Sequence, residues 1–264
     1  MNELQAHVTN YLFYCRQQKR LDSKTLKAYQ TDLQQFTEFI TISSLEDISS
    51  SILEAYISNL HQLYKPKTVK RKIASIKAFF HYLEYKEFII INPFSKIQIK
   101  FREPSILPKT IPLSTVELVL STIYTCCRQA PTAYQRKNAL RDAAIIELLF
   151  ATGIRISELC SLKTCDISLS DRSLLIHGKG NKERRMQIGN DDVLQTLTEY
   201  RNSFHDKNNP CSFFFINQNQ TPVSDQAVRR MINKYVSLAA IDLHITPHMF
   251  RHTFATSLLE ADVD

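Results

Sequence analysis

Three short segments of the chain carry charged side chains suited to binding one phosphate group. Arg155 follows Gly153, Lys179 lies between two glycines, and His248 and Arg251 share the start of a predicted helix. A phosphodiester in transfer gathers negative charge on its non-bridging oxygens, which two arginines can neutralise and orient through paired hydrogen bonds. A lysine can protonate the leaving alkoxide, and a nearby histidine can assist the attacking hydroxyl. The pattern indicates phosphoryl-transfer chemistry.

Each of these assignments has a simpler alternative. Glu158 lies three residues after Arg155, where it can hold the guanidinium in orientation, but an ordinary structural ion pair has the same spacing. Lys179 also fits an exposed turn residue. His248 and His252 have the spacing of a metal-binding pair, although no third ligand is evident. The cations that follow Lys179, Arg184 among them, contact either a DNA backbone or solvent.

The cysteines give no better case for a metal. The six cysteines are irregularly spaced, which fits reduced thiols better than a disulfide framework. Cys160, Cys165 and His177 do not complete a four-ligand zinc set. We therefore expect no bound metal.

Composition favours a polyanionic partner. The chain has 264 residues, 44% hydrophobic residues and a formal net charge of +7. That length fits two ordinary domains, and the charge favours nucleic acid without proving it. No apolar run approaches the roughly 18 residues of a membrane helix, and the N-terminus lacks a signal-peptide pattern. We therefore expect a cytoplasmic protein with no membrane partner.

Positive charge is concentrated on one predicted helix. Six cations fall between positions 65 and 77 with no acid among them, and apolar residues form the opposite stripe of the helix. This arrangement favours a helix that follows a DNA phosphate backbone, with a solvated helix face as the alternative. The candidate DNA-binding residues are Lys65, Lys67, Thr68, Arg71 and Lys72.

Helices must supply most of the framework in the first part of the chain. Helical spacing of apolar residues predicts four helices, near 3–18, 22–40, 50–63 and 66–85. Four prolines then fall within about twenty residues and predict an extended linker. The predicted organisation is a helical domain at 1–90, a linker at 91–110 and a second domain at 111–264.

The second domain is predicted to be mostly helical around one β-hairpin. All four glycines lie between positions 153 and 189, where the backbone must turn tightly or approach a partner closely. Segments 174–177 and 184–188 predict two strands joined by a basic tip. Helices are predicted again near 193–200, 225–238 and 247–259, the last with Pro247 as its first residue.

Taken together, these motifs resemble the tyrosine recombinases, also called phage integrases, and especially their Xer-like branch. Segment 23–29 and the basic helix also resemble the core-binding domain of that branch, so the resemblance covers nearly the whole chain. Three ordered motifs carry most of it: Ala151-Thr152-Gly153-Ile154-Arg155-Ile156-Ser157-Glu158-Leu159, Gly178-Lys179-Gly180-Asn181-Lys182-Glu183-Arg184 and His248-Met249-Phe250-Arg251-His252-Thr253-Phe254-Ala255-Thr256.

The resemblance implies a mainly α fold, with a four-helix core-binding (SAM-like) domain and a mostly helical catalytic domain containing a small β-hairpin or sheet. It implies a site-specific recombinase that breaks and rejoins DNA without a metal or nucleotide cofactor. Arg155 and Arg251 match the arginines that bind the scissile phosphate, Lys179 the general acid, and His248 the histidine of the His-x-x-Arg box. Glu158 is expected to hold the guanidinium group of Arg155 in orientation rather than to act on the substrate.

The family nucleophile is a tyrosine that forms a 3′-phosphotyrosyl intermediate. In the family it follows the second arginine, and the sequence ends at Asp264 before such a residue. We therefore expect this chain alone not to cleave DNA, and the full-length protein to form a homo- or hetero-oligomer on double-stranded DNA. The alternative function is a non-cleaving DNA-binding module or remnant that occupies recombination sites.

Overall fold

The computed structural model describes residues 3–40, 44–99, 101, 109–178, 182–205 and 212–260. The chain divides into two compact units, Met1–Ser105 and Ile106–Asp264, and the division falls within the proline-rich segment 91–110. Most described residues are helical, so the predicted mainly α class is confirmed. Within these ranges, none of the helices is both long and apolar enough to cross a membrane.

The part of the first unit that the structure describes has four α-helices and a short 3₁₀ turn. The fourth helix packs against each of the other three. Phe36, Phe79 and Phe80 are at most 1% exposed, and burying each ring contributes about 2 kcal/mol of transfer free energy. The elements are α1 (Glu3–Gln17), α2 (Ser23–Phe39), α3 (Ser50–Leu63), α4 (Pro66–Tyr85) and the turn Pro93–Lys96.

The second unit has six α-helices and a three-stranded sheet among its described residues. Its elements are α5 (Leu113–Arg128), α6 (Ala133–Thr152), α7 (Ile156–Ser161), β1 (Ile167–Ser168), β2 (Ser173–His177), β3 (Glu183–Gln187), α8 (Asp191–Phe204), α9 (Asp225–Leu238) and α10 (Pro247–Glu260).

Helix α6 is the centre of the second unit. It packs against α5, α8 and α10, and Ala143, Ile146 and Leu149 are fully buried. A helix covered on several sides needs apolar residues around most of its circumference rather than on one stripe. The C-terminal end of α6 therefore lies in a tightly packed core.

The sheet is antiparallel in the order β1, β2, β3. The predicted hairpin is present as β2 and β3, in a register that pairs Ile176 with Arg184 and His177 with Glu183. The two-residue strand β1 was not predicted, because a segment this short has no detectable period. The hairpin tip at 179–181 lies outside the described residues, and Lys179 with it.

Candidate active site

Gly153 sets the direction in which the chain enters the site. It ends α6 in a left-handed conformation, with φ 56° and ψ 23°. A Cβ atom at this position would lie only 2.5 Å from Cδ1 of Phe254 on α10. Both the backbone conformation and the close packing therefore require glycine. The next turn of chain places Arg155 at the N-cap of α7.

A single carboxylate, that of Glu158, organises the charged groups around it. Its Oε1 accepts hydrogen bonds from Nη1 of Arg155 at 2.9 Å and Nη1 of Arg184 at 3.1 Å. Its Oε2 accepts from Nη2 of Arg184 at 2.6 Å and from the backbone N–H of Arg155 at 3.0 Å. The Glu158 side chain is only 6% exposed, so these four bonds replace its contact with water.

These bonds decide the ionisation of Glu158. Burial by itself would raise the pKa of this carboxyl group. The side-chain bonds from Arg184, with the backbone and side-chain bonds from Arg155, outweigh burial and lower the pKa of Glu158 to about 2. Glu158 is therefore an anion at neutral pH and acts as a fixed acceptor rather than as an acid or base.

Arg251 is held by the backbone of the turn at Gly153. Its Nη1 donates a 2.7 Å hydrogen bond to the carbonyl oxygen of Gly153. Burial lowers the pKa of the Arg251 guanidinium, and the positive charges of Arg155 and Arg184 lower it further. An arginine stays protonated despite such a shift. Arg155, Arg184 and Arg251 thus concentrate positive charge in one place.

A cleft of about 770 Å³ opens beside this cluster, between α7 and the base of the hairpin. Arg155, Glu158 and Arg184 line it. His177 also lines it, with Nε2 3.2 Å from Asp166 and Nδ1 3.1 Å from Glu183. The cleft therefore extends from Arg155 and Arg184 to His177, the last residue of β2.

The structure brings together Arg155, Glu158 and Arg251, three of the five residues that the sequence placed around the scissile phosphate. His248 is exposed one turn before Arg251 on α10, which places both on one side of that helix. Lys179 lies outside the described residues. The sequence did not distinguish Arg184 as a site residue, although a signal existed. Arg184 pairs with the buried Ile176, so strand alternation turns both side chains toward the same, inner face.

The candidate DNA-binding residues of α4 are not all at the surface. Lys65, Lys67 and Arg71 are exposed, and Thr68 is half-buried. Lys72 is only 2% exposed, which corrects the prediction that it contacts DNA.

Lys72 is buried because its position falls within the apolar stripe of α4. It lies one turn from Val69 and one turn from Ile76, both of which are buried. Its Nζ lies 3.1 Å from Oδ1 of the fully buried Asp32 and 4.8 Å from the centre of the Tyr64 ring. Lys72 is a structural cation that compensates a buried carboxylate.

The same carboxylate also binds a surface arginine. Arg71 pairs with Oδ2 of Asp32, and Ser75 donates to that oxygen at 2.8 Å. The Arg71 side chain is nevertheless 47% exposed. Arg71 can therefore face solvent or DNA while remaining anchored at one of its nitrogens.

Comparisons with known proteins cover both units. The family model described as the phage integrase family matches residues 117–264, and the one described as the phage integrase N-terminal SAM-like domain matches residues 8–87. A tyrosine recombinase of Agathobacter rectalis is 65% identical over 264 residues, which cover 100% of this chain and 86% of that protein. The tyrosine recombinase XerC of Staphylococcus haemolyticus is 33% identical, with the same two coverages.

Solved structures share the fold at lower identity. A lambda integrase dimer bound to a COC′ core site is 17% identical with a TM-score of 0.75, covering 100% of this chain and 92% of that chain. The XerH recombinase bound to a palindromic difH substrate, in a post-cleavage complex, is 21% identical with a TM-score of 0.76. It covers 97% of this chain and 74% of that chain.

Proposed function

The chain belongs to the phage integrase family, and on this premise we propose that the full-length protein is a site-specific recombinase that breaks and rejoins double-stranded DNA through a 3′-phosphotyrosyl intermediate. Both named relatives are tyrosine recombinases, and their similarity covers 100% of this chain. In this chemistry the tyrosine oxygen bonds to phosphorus while the bond to the 5′ oxygen breaks. The leaving oxygen takes a proton, and the reverse reaction rejoins the strands. The covalent bond conserves the energy needed for rejoining, so the reaction requires no nucleotide cofactor.

The observation that carries this proposal is the meeting of Arg155 and Arg251 around the Gly153 turn. We assign both guanidinium groups to the non-bridging oxygens of the scissile phosphate, where fixed donors stabilise the charge that develops in the transition state. Glu158 keeps Arg155 in place. His248 assists at the same phosphate, and Lys179 protonates the leaving 5′ oxygen, an assignment that rests on the sequence motif.

The first unit supplies DNA affinity in this proposal. The exposed cations Lys65, Lys67 and Arg71, with the hydroxyl of Thr68, contact the phosphate backbone. The lambda integrase structure is a dimer on its core site, and we extend oligomer formation on double-stranded DNA to this protein. We place the activity in the cytoplasm, with the DNA substrate.

A covalent-trapping experiment tests the proposal. The complete gene product is first used to select its binding site from a randomised duplex pool. It is then incubated with that site carrying a nick that lets the released fragment diffuse away. We expect a protein–DNA adduct that survives denaturation by detergent, disappears with protease and leaves a free 5′ hydroxyl. Specific binding without any adduct would overturn the proposal and favour the non-cleaving DNA-binding alternative.

A further inference from the structure

Arg184 commits both of its terminal nitrogens to one carboxylate. Nη1 and Nη2 donate to the two oxygens of Glu158 at 3.1 and 2.6 Å, which is a bidentate pair. Gly178, at the base of the hairpin, lies beside this contact. A Cβ at Gly178 would lie 3.7 Å from both Nη1 of Arg184 and Oε1 of Glu158, and 3.2 Å from the Lys182 carbonyl oxygen.

The bidentate pair limits what Glu158 can do with Arg155. Through its guanidinium, Arg155 donates to Glu158 from Nη1 only, and its side chain is 50% exposed at the wall of the cleft. A carboxylate without another partner pairs most strongly with a guanidinium through two parallel bonds. With Arg184 in place, each oxygen of Glu158 accepts two hydrogen bonds, two from Arg184, one from the backbone N–H of Arg155 and one from its Nη1. The roughly four acceptor sites of the carboxylate are then filled, and none is left for a second guanidinium nitrogen of Arg155.

We propose that Arg184 is a positioning residue of the recombinase reaction. By occupying Glu158, it keeps the second terminal nitrogen of Arg155 directed to the scissile phosphate instead of the carboxylate. Arg184 lies on β3 and Glu158 on α7, so the ion pair also joins the hairpin strand to the helix that carries Arg155. This inference rests on the proposed function, and it assigns to Arg184 a role that requires no contact with DNA.

Single-turnover measurements on the nicked substrate test the proposal, using the complete gene product at saturating concentration. We expect Arg184→Gln to slow adduct formation about 100-fold, as a misplaced reacting group does, with little change in the dissociation constant for duplex DNA. Arg184→Lys keeps the charge but not the fork, and it should recover part of the rate. Arg201→Gln is the matched control, because it removes the same charge from an exposed position on α8 to which no role in binding or catalysis is assigned. It should stay within about twofold of wild type.

A double-mutant cycle separates action through Glu158 from direct contact with the phosphate. Glu158→Gln removes the carboxylate through which Arg184 is proposed to act. Arg184→Gln should then slow the reaction no further in the Glu158→Gln background. Losses that multiply in the double variant would overturn the proposal, because they would mean that Arg184 acts on the substrate independently of Glu158.

Two further results keep the outcomes distinct. Thermal unfolding of each variant shows whether it is folded, and if Arg184→Gln does not fold, Arg184→Lys against Arg201→Lys provides the same comparison. If wild type forms an adduct and the Arg184 variants react equally fast, this inference fails while the proposed function stands. If wild type forms none, the proposed function fails first.

Discussion

The carbonyl oxygen of Gly153 accepts a 2.7 Å hydrogen bond from Nη1 of Arg251, although 98 positions separate the two residues. Gly153 lies only two residues before Arg155. The same tight turn therefore binds Arg251 through the Gly153 carbonyl oxygen and places Arg155 at the N-cap of α7. The relative position of the two guanidinium groups therefore depends on a glycine conformation rather than on side-chain packing alone.

Substitution of Gly153 should destabilise the second unit. Gly153→Ala introduces a Cβ at φ 56° and forces it against Phe254, for an expected loss of about 1–3 kcal/mol in the free energy of unfolding. Denaturant unfolding measures the loss. Gly189→Ala is the control, because a Cβ there meets nothing within 4 Å, and an equal loss in both variants would contradict the argument.

Removal of either arginine should act on the chemical step. Arg155→Ala and Arg251→Ala in the complete gene product are each expected to slow adduct formation by about 10²- to 10³-fold, because each removes a fixed donor to the transition state. Duplex affinity, measured by titration at fixed salt, should remain largely intact. Loss of binding in folded variants would count against assigning these residues to the scissile phosphate.

The cations of α4 should separate into two classes. Lys67→Gln removes an exposed charge, so it should weaken DNA binding broadly and reduce the slope of log K against log salt by about 0.9. Lys72→Gln leaves Asp32 with one fewer buried partner, and it should instead lower the free energy of unfolding of the first unit by about 3 kcal/mol. Salt titration and denaturant unfolding of both variants distinguish the classes, and a reversal of the two effects would refute the assignment.

Stability should depend on pH through Glu158 in the acid range. The pKa of this carboxyl group is lowered from 4.5 to about 2 in the folded protein, so its contribution is fully present above the unfolded value. It is lost as the pH falls from about 4.5 to about 2, and it amounts to about 3 kcal/mol at most. Glu158→Gln removes this titration, so the difference in unfolding free energy between wild type and variant should shrink over that window. A constant difference would contradict the ion-pair assignment.

Local spacing predicted the parts of the site that lie close together in the chain. Glu158 follows Arg155 by three residues, so their pairing follows from helix geometry alone. Arg184 joins the same carboxylate from 26 positions away, and this contact depends on the register of β2 and β3 and on the packing of the sheet against α7. No short-range sequence pattern predicts that Arg184 contacts Glu158, although the alternation along β3 indicates that the Arg184 side chain faces inward.

The burial of Lys72 shows the same limit in the first unit. The acid-free run of cations predicted a basic helix face, and Lys65, Lys67 and Arg71 are exposed as expected. From the sequence, Lys72 was interpreted as a surface residue. Its partner Asp32 lies 40 positions earlier, on α2, and local spacing does not identify it. A buried cation is stable only beside such a partner, so its placement depends on tertiary contacts between helices.

Helix α6 is buried along much of its length, and this burial limits the motion of the turn that follows it at Gly153. Local opening that exposes its backbone amides requires separation from α5, α8 and α10 together, so these amides should exchange with deuterium more slowly than most others in the second unit. Arg155 lies three residues beyond the end of this slowly exchanging helix. Thermal motion at the protein surface should therefore reach its backbone only weakly.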